Sequence, residues 1–382
     1  MLSCKRSKFS LPDNITYLNC AYMSPLLKRV EKAGINGLRL KRNPGQIKAE
    51  DFFIQSTALR NTFGHLIDAP DERIAIVPSA SYGIATAAAN ITIEKGQNIV
   101  VAAGQFPSNY YVWSRLCSEQ SASLIAVAPP DTLKDRGKTW NERILEAITT
   151  RTKVVAIAHT HWADGTRFNL EKIRKRTRDV GALLIIDGTQ SVGAMPFDFD
   201  AIQPDALICA GYKWLLGPYS LGLGYYGEYF NEGKPIEENW ITRLASDDFA
   251  ALVNYNAEYQ PGAMRFDMGE RSNFILVPML LKALGQIARW GIKNIQEYCL
   301  SISQETIAKL GEKGYWIEET AYRGGHIFGI RLPKGIDVEK VKLSLQKNKV
   351  YVSFRGNAIR VSPYVYNDAT DLRKLTRILM RA

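Results

Sequence analysis

Two residues near the middle of the chain have the types and placement for covalent chemistry. Asp187 ends the apolar run Ala182-Leu-Leu-Ile-Ile, and Lys213 stands in Gly-Tyr-Lys-Trp just after a second run, Ala206 to Ala210. A short apolar run bounded by glycine and polar residues reads as a strand buried on both faces. Ligands of an open α/β sheet bind just beyond the carboxyl ends of such strands. An acid and an amine 26 positions apart would then share the sheet's active edge. Apolar residues follow Lys213, and burial would depress its pKa and make it a nucleophile suited to a Schiff base with an aldehyde. An aspartate opposite it can hold a pyridine nitrogen protonated and so turn such a ring into an electron sink, as in pyridoxal-phosphate (PLP) chemistry. A structural ion pair would produce the same spacing, and the pair alone leaves both readings open.

The elements that must position this pair can be read on either side of it. Ile74 to Val77 is a short strand, and Pro78-Ser-Ala-Ser-Tyr-Gly83 leads from it into an alanine-rich helix. Small residues at a helix N-terminus make an anion site from free N–H groups and the helix dipole. A simple N-cap by Ser79 or Ser81 is the plainer alternative. Asn98 to Ala102 is a second strand, and Phe106 stands at the corner after it, where an aromatic ring covers a planar ligand or packs on its own domain. The strand KVVAIAH delivers His159-Thr-His-Trp162; two histidines without a carboxylate at ligand spacing do not make a metal site. Asn169 caps the helix LEKIRKRTRDV, and Gly181 ends it. This alternation from residue 74 to 213 predicts a mostly parallel α/β sheet, and no G-x-G-x-x-G follows its first strand, which disfavours dinucleotide binding. Pro278 must lie in the first turns of the apolar helix that follows Asn273. Residues 294–382 read as a smaller α+β unit. The expected division is a large domain over 14–288 and a small one from 1–13 and 289–382.

Composition sets the outer limits. The 382 residues are 46% apolar and 23% charged, ordinary for a globular chain with room for a sizeable core. The net charge is +11, but the basic residues are spread over helices among acids and threonines. No basic stretch is interleaved with aromatics as a stacking platform, so no nucleic-acid partner is expected. No apolar run is long enough for a membrane span, and the N-terminus lacks the apolar region of a signal peptide. Five scattered cysteines, an odd number without C-x-x-C spacing, suit a reducing cytoplasm.

Taken in order, Ser-Ala-Ser (79–81), Phe-Pro-Ser-Asn (106–109), Asp-Gly-Thr-Gln (187–190), Gly-Tyr-Lys (211–213) and Arg-Val-Ser-Pro (360–363) resemble the class V aminotransferase family of fold-type I PLP enzymes. That family includes cysteine desulfurases, kynureninases and isopenicillin-N-epimerase-like proteins. The resemblance implies a large domain with a mostly parallel, seven-stranded-type sheet flanked by helices and a smaller C-terminal α+β domain. It also implies a homodimer whose site is completed across the interface. By position, Lys213 would form the internal aldimine with PLP and serve as the proton-shuttling base. Asp187 would pair with the pyridinium nitrogen, Gln190 would reach the ring hydroxyl, and Phe106 would stack on the ring. Ala80, Ser81 and Tyr212 would hold the phosphate, and Arg360 would fork onto a substrate carboxylate. Tyr22, His161, Trp162 and Arg265 are the candidates for lining the substrate side.

Three departures shape the expectation. Desulfurases carry a reactive cysteine on a loop before the final arginine, whereas this chain has the cysteine-free Ser353-Phe-Arg-Gly-Asn-Ala358, so persulfide chemistry is not expected. Gly269-Glu-Arg-Ser-Asn273 stands where many relatives have Gly-Thr-Pro-Asn reaching the neighbouring subunit's phosphate, with Ser272 in the role of the threonine. Trp162 stands where desulfurases have an asparagine by the ring hydroxyl. The resulting expectation is a PLP enzyme acting on an amino acid or related amine, most simply an aminotransferase. An epimerase or a kynureninase-like Cβ lyase on the same scaffold is the alternative, and a catalytically silent PLP-fold binding protein a further one.

Overall fold

The computed structural model describes residues 2–356 and 358–381. Its strands are β1 (Thr16–Tyr17), β2 (Ile74–Val77), β3 (Asn98–Ala102), β4 (Ser123–Val127), β5 (Thr152–Ala158), β6 (Leu183–Asp187), β7 (Ala206–Ala210), β8 (Gly222–Tyr226), β9 (Trp316–Ile317), β10 (Phe328–Arg331), β11 (Val350–Tyr351), β12 (Ser353–Arg355) and β13 (Ala358–Val361). Its helices are α1 (Lys28–Leu40), α2 (Asp51–Ile67), α3 (Ala80–Ala89), α4 (Tyr111–Glu119), α5 (Arg136–Ala147) and α6 (Leu170–Val180). After these come α7 (Phe199–Ile202), α8 (Leu276–Trp290), α9 (Ile292–Gly311), α10 (Val338–Lys347) and α11 (Ala369–Leu379).

Seven strands form the large sheet in the order β2-β8-β7-β6-β5-β3-β4. It is parallel except at β8, which runs antiparallel to both β2 and β7. The reason lies in side-chain alternation along strands that have no polar face. Ile76, Val100, Val155, Leu184 and Leu207 pack into one apolar core. Their neighbours Val77, Val101, Val154, Ile185 and Ile208 pack into a second. Strands β2, β3, β6, β7 and β8 are buried at every residue, whereas the edge strand β4 is exposed at Ser123 and Ala126, and the polar groups of the site gather at the strand ends.

Helix ends match their sequence signals. Asn169 accepts from Lys172 N–H at the start of α6, and Gly181 closes it at φ 72°. Pro278 is the third residue of α8, where its missing N–H costs no hydrogen bond. Among the described residues no helix is long and apolar enough to cross a membrane.

The C-terminal part carries a four-stranded antiparallel sheet, β12-β13-β10-β9. Thr16 and Tyr17, on the large-domain side of the division expected at residue 14, pair in parallel with Val350 and Tyr351. The chain's opening segment is thus fastened to the small unit, and Cys20 and Ala21 N–H groups donate to Ser362.

One buried charge cluster organises the approach to α8. Asp267, wholly buried, accepts from Arg60, Arg271 and the Ile76 N–H. Burial pulls the Arg60 pKa down to about 10, against the pull of Asp267. Removing the acid alone leaves two arginines unpaired inside the protein. Asp267→Ala should therefore lower unfolding stability by about 3–5 kcal/mol in denaturant melts, while an exposed-site control such as Glu146→Ala leaves it within about 0.5 kcal/mol.

Candidate active site

At the carboxyl ends of β5, β6 and β7 a cavity of about 340 Å³ is walled by Ser79, Ala80 and Ser81, by Phe106, Thr160 and Trp162, and by Asp187, Gln190, Tyr212 and Lys213. Asp187 is the last residue of β6, and its Oδ1 accepts from the Thr189 N–H at 3.0 Å. Lys213 lies three residues beyond β7 in a turn closed by Gly211 N–H to Leu221 O and Leu216 N–H to Lys213 O. The next residue, Trp214, is buried and donates to Gln190 Oε1 at 2.9 Å. Acid and amine meet in one cavity although 26 residues separate them.

Lys213 is 5% exposed, and its Nζ stands 5.2 Å from the Phe106 ring centroid and 5.4 Å from that of Tyr212. Burial draws the amine pKa down to about 8; Asp187 opposes this, while the positive charges of Arg360 and Arg355 add to it. The Tyr212 hydroxyl moves the other way, pushed up to about 12 by burial. Near neutral pH this lysine is one short step from a free amine.

The start of α3 faces the same space. Ser79 caps the helix through the Tyr82 N–H at 3.1 Å and shares a 2.8 Å hydrogen bond with the Ser81 hydroxyl. The Ala80 and Ser81 N–H groups, in the first turn, have no intrahelical acceptor and suit an anion. Gln190 spends one amide hydrogen on Ala21 O at 3.1 Å and keeps a second. Thr160 Oγ1 is buried, without a partner among the described residues, on the cavity wall. An aldehyde-bearing ring with a phosphate and a hydroxyl matches these groups: free N–H donors, a depressed amine, a carboxylate and an unmatched hydroxyl.

Several expected residues lie elsewhere. The backbone beyond β5 alternates, so Ala158, Thr160 and Trp162 face the cavity while His159 and His161 turn away. His161 is therefore not on the wall of this cavity. Its Nδ1 is 3.3 Å from Asp164 Oδ1, its Nε2 3.1 Å from Gly104 O, and its ring packs on Trp140. Tyr22 is 57% exposed and outside the cavity wall, because the turn after Asn19 carries it to the surface. Arg265 points to Gly233 O and the Tyr259 ring instead. The Ser272 hydroxyl donates to Phe52 O and also lies outside this chain's cavity. Among the described residues no group of three or more histidines, cysteines or acids is placed to hold a metal ion.

Arg360, in β13, is 1% exposed and does not line the cavity. Its Nη1 donates to Trp162 O at 2.7 Å and its Nη2 reaches Ser353 Oγ at 3.4 Å, while its Nε has no partner among the described residues. It is thus close behind the Trp162 wall, and near enough to act on the Lys213 charge.

The model of the aminotransferase class-V family matches residues 45–378. The chain belongs to that family. It is accordingly a PLP-dependent enzyme, and the fit of the cavity agrees. Among its relatives is the uncharacterized aminotransferase YcbU of Bacillus subtilis, 27% identical over 315 residues, which are 82% of this chain and 80% of that protein. A probable cysteine desulfurase of Methanothermobacter thermautotrophicus is 27% identical over 248 residues, 64% of this chain and 59% of its own length. In three dimensions the chain resembles a C-DES mutant with glycine covalently linked to its PLP cofactor, with a TM-score of 0.86, 17% identity and 98% of each chain covered. At that identity the likeness speaks for the fold.

The depressed amine makes a pH prediction. Only the neutral amine attacks an aldehyde, and a lowered pKa makes it neutral above about 8 rather than above the ordinary 10.5. Borohydride trapping of PLP on Lys213, followed by peptide mass, should rise with pH to half-maximum near 8. A half-rise close to 10.5 would contradict the burial account.

Proposed function

We propose that the protein is an aminotransferase acting on an amino acid or related amine, with Lys213 as its single proton-transferring base. The observation that carries this reading is the cavity's short supply of such groups. The titratable side chains on its wall are Asp187, Tyr212, Lys213 and Tyr219; burial draws the Lys213 amine down to about 8 and pushes the Tyr212 hydroxyl up to about 12. Epimerisation needs proton transfer at both faces of Cα, whereas transamination needs one base that removes a proton and returns it nearby. No cysteine lines the cavity among the described residues, and four of the five thiols are buried elsewhere, which also argues against persulfide chemistry.

The residues then divide the work. The Ala80 and Ser81 N–H groups, with the Tyr212 hydroxyl, would bind the phosphate. Asp187 would keep a proton on the pyridine nitrogen, and Gln190 would donate its spare hydrogen to the ring hydroxyl. Phe106 would cover one face of the ring and keep water from it. Arg360 would orient the substrate through its carboxylate, using the N–H groups that Trp162 O and Ser353 Oγ leave over. Bound in this frame, the cofactor supplies an aldehyde for the substrate amine and a ring that withdraws electrons from Cα. Lys213 Nζ takes up the proton so released and holds it above the substrate.

We also take the working enzyme to be a cytoplasmic homodimer without nucleic-acid or membrane partners. Ser272, tied to Phe52 O in its own chain, would reach a phosphate only in the partner's site. The apolar side chains of Trp240, Val253 and Tyr255, exposed on the loop before it, suit a covered face.

Substituting the lysine tests the assignment. Lys213→Ala, mixed with PLP, should lack the visible absorbance of the lysine-bound cofactor and lose at least about a hundredfold in turnover. Mass analysis of a donor screen on the wild type should find 2-oxo acids formed in step with amination of an acceptor. An unchanged chromophore in the variant overturns the role of Lys213. Inversion at Cα, or ammonia release without amination, overturns transamination.

A further inference from the structure

Four of the charged or dipolar features around the cavity have an assigned counterpart in the reading above. The α3 N-terminus answers a phosphate, Asp187 a pyridine nitrogen, Lys213 an aldehyde, and Arg360 a substrate carboxylate. Arg355 remains. It is half-buried on β12, with its guanidinium 5.3 Å from the centroid of the Trp162 ring that walls the cavity. Among the described residues it makes no ion pair: its Nη1 donates to the carbonyl of its own neighbour Phe354 at 2.8 Å, and its Nε is shut from water with no partner.

Sheet register places this arginine with the other one. Ser353 pairs with Arg360 and Arg355 with Ala358 across the antiparallel β12–β13 ladder. Directly opposed residues share a face, as do residues two apart along a strand. Arg355 and Arg360 therefore rise from the same face as diagonal neighbours, a separation of roughly 7–8 Å. Both sit against the Trp162 residue, one over its ring and one on its carbonyl. The charges of both bear on Lys213. Two guanidinium groups held side by side without a carboxylate repel each other and lose hydration. A ligand with two anionic ends removes both penalties at once.

We propose that the substrate is an amino acid whose side chain ends in a second carboxylate, with Arg360 holding the α-carboxylate and Arg355, seated on Trp162, holding the distal one. The proposal rests on the aminotransferase reading of the same site. Arg355 is thus the specificity residue, and the length of the preferred substrate follows from the diagonal spacing of the two arginines. Each planar fork suits a bidentate carboxylate, so lysine is a poor replacement at either position.

Amine-free acids isolate this recognition from chemistry at Lys213. Calorimetric titration of the PLP-loaded protein with glutarate and with valerate compares a dicarboxylate and a monocarboxylate of equal chain length. Wild type should bind glutarate about tenfold or more tightly than valerate, the worth of one charge-assisted pair. Arg355→Gln should bring the two affinities together chiefly by weakening glutarate. Arg355→Lys should recover only part of the preference, and Arg360→Gln should weaken both acids. Equal affinities in wild type, or a glutarate preference that survives Arg355→Gln, overturn the proposal. Visible absorbance separates the layers: wild-type protein that never develops the lysine-bound band refutes the cofactor reading, whereas a loaded protein indifferent to the second carboxylate refutes this one alone.

Discussion

An amine sealed inside a protein is unstable as a cation, and the site is arranged around that fact. Lys213 is held there by the fold: Trp214 anchors the residue after it, Gly211 and Leu221 close its turn, and β7 delivers it at a fixed height. One carboxylate, Asp187, opposes the loss of the proton, and two arginines promote it. A surface lysine would stay mostly charged near neutral pH and react with aldehydes far more slowly. The fully buried strands β6 and β7 make such burial possible, because they bring Asp187 and Lys213 to one edge of an apolar layer.

Much of this was legible in the sequence, for a physical reason. Strands buried on both faces have to be apolar throughout, so runs such as Leu183–Ile186 and Ala206–Ala210 marked their own ends, and the residues just beyond became the site. Capping residues marked α6 and the position of Pro278 marked the start of α8 in the same way. Side-chain direction outside the strands was less legible. His159-Thr-His-Trp162 drew attention to its histidines, yet alternation puts Thr160 and Trp162 on the cavity and turns His161 toward Asp164. Two-residue periodicity carried just past the end of β5 would have indicated Thr160. Arg355 gave no signal, since its place over Trp162 depends on the β12–β13 hairpin meeting a loop nearly two hundred residues earlier in the chain. Its neighbour Asn357 lies outside the described residues.

The segment carrying Trp162 is tied down more firmly than its loop character suggests. Asp164 receives Arg136 at 2.9 Å, Arg331 at 3.6 Å and His161. Burial works against its carboxylate, but the hydrogen bond and charge of His161, with Arg136, hold its pKa below the usual carboxylate range. Arg331 belongs to β10, in the small sheet, so this acid links the two units of the fold.

That linkage changes what the wall of the cavity is. Trp162 belongs to the large unit by chain position, but its carbonyl is gripped by Arg360 of β13, its ring lies under Arg355 of β12, and the loop's Asp164 holds Arg331 of β10. Gly329 N–H also donates to Asp164 O at 2.7 Å. The Trp162 indole Nε1 also donates to Gly104 O at 2.8 Å, just beyond β3, so the tryptophan is a strut pinned to the large sheet at one end and to the small sheet at the other. A tilt of the small sheet would have to break the Gly104 tie or drag that corner with it, so the aromatic wall braces the two sheets against each other at the mouth of the site.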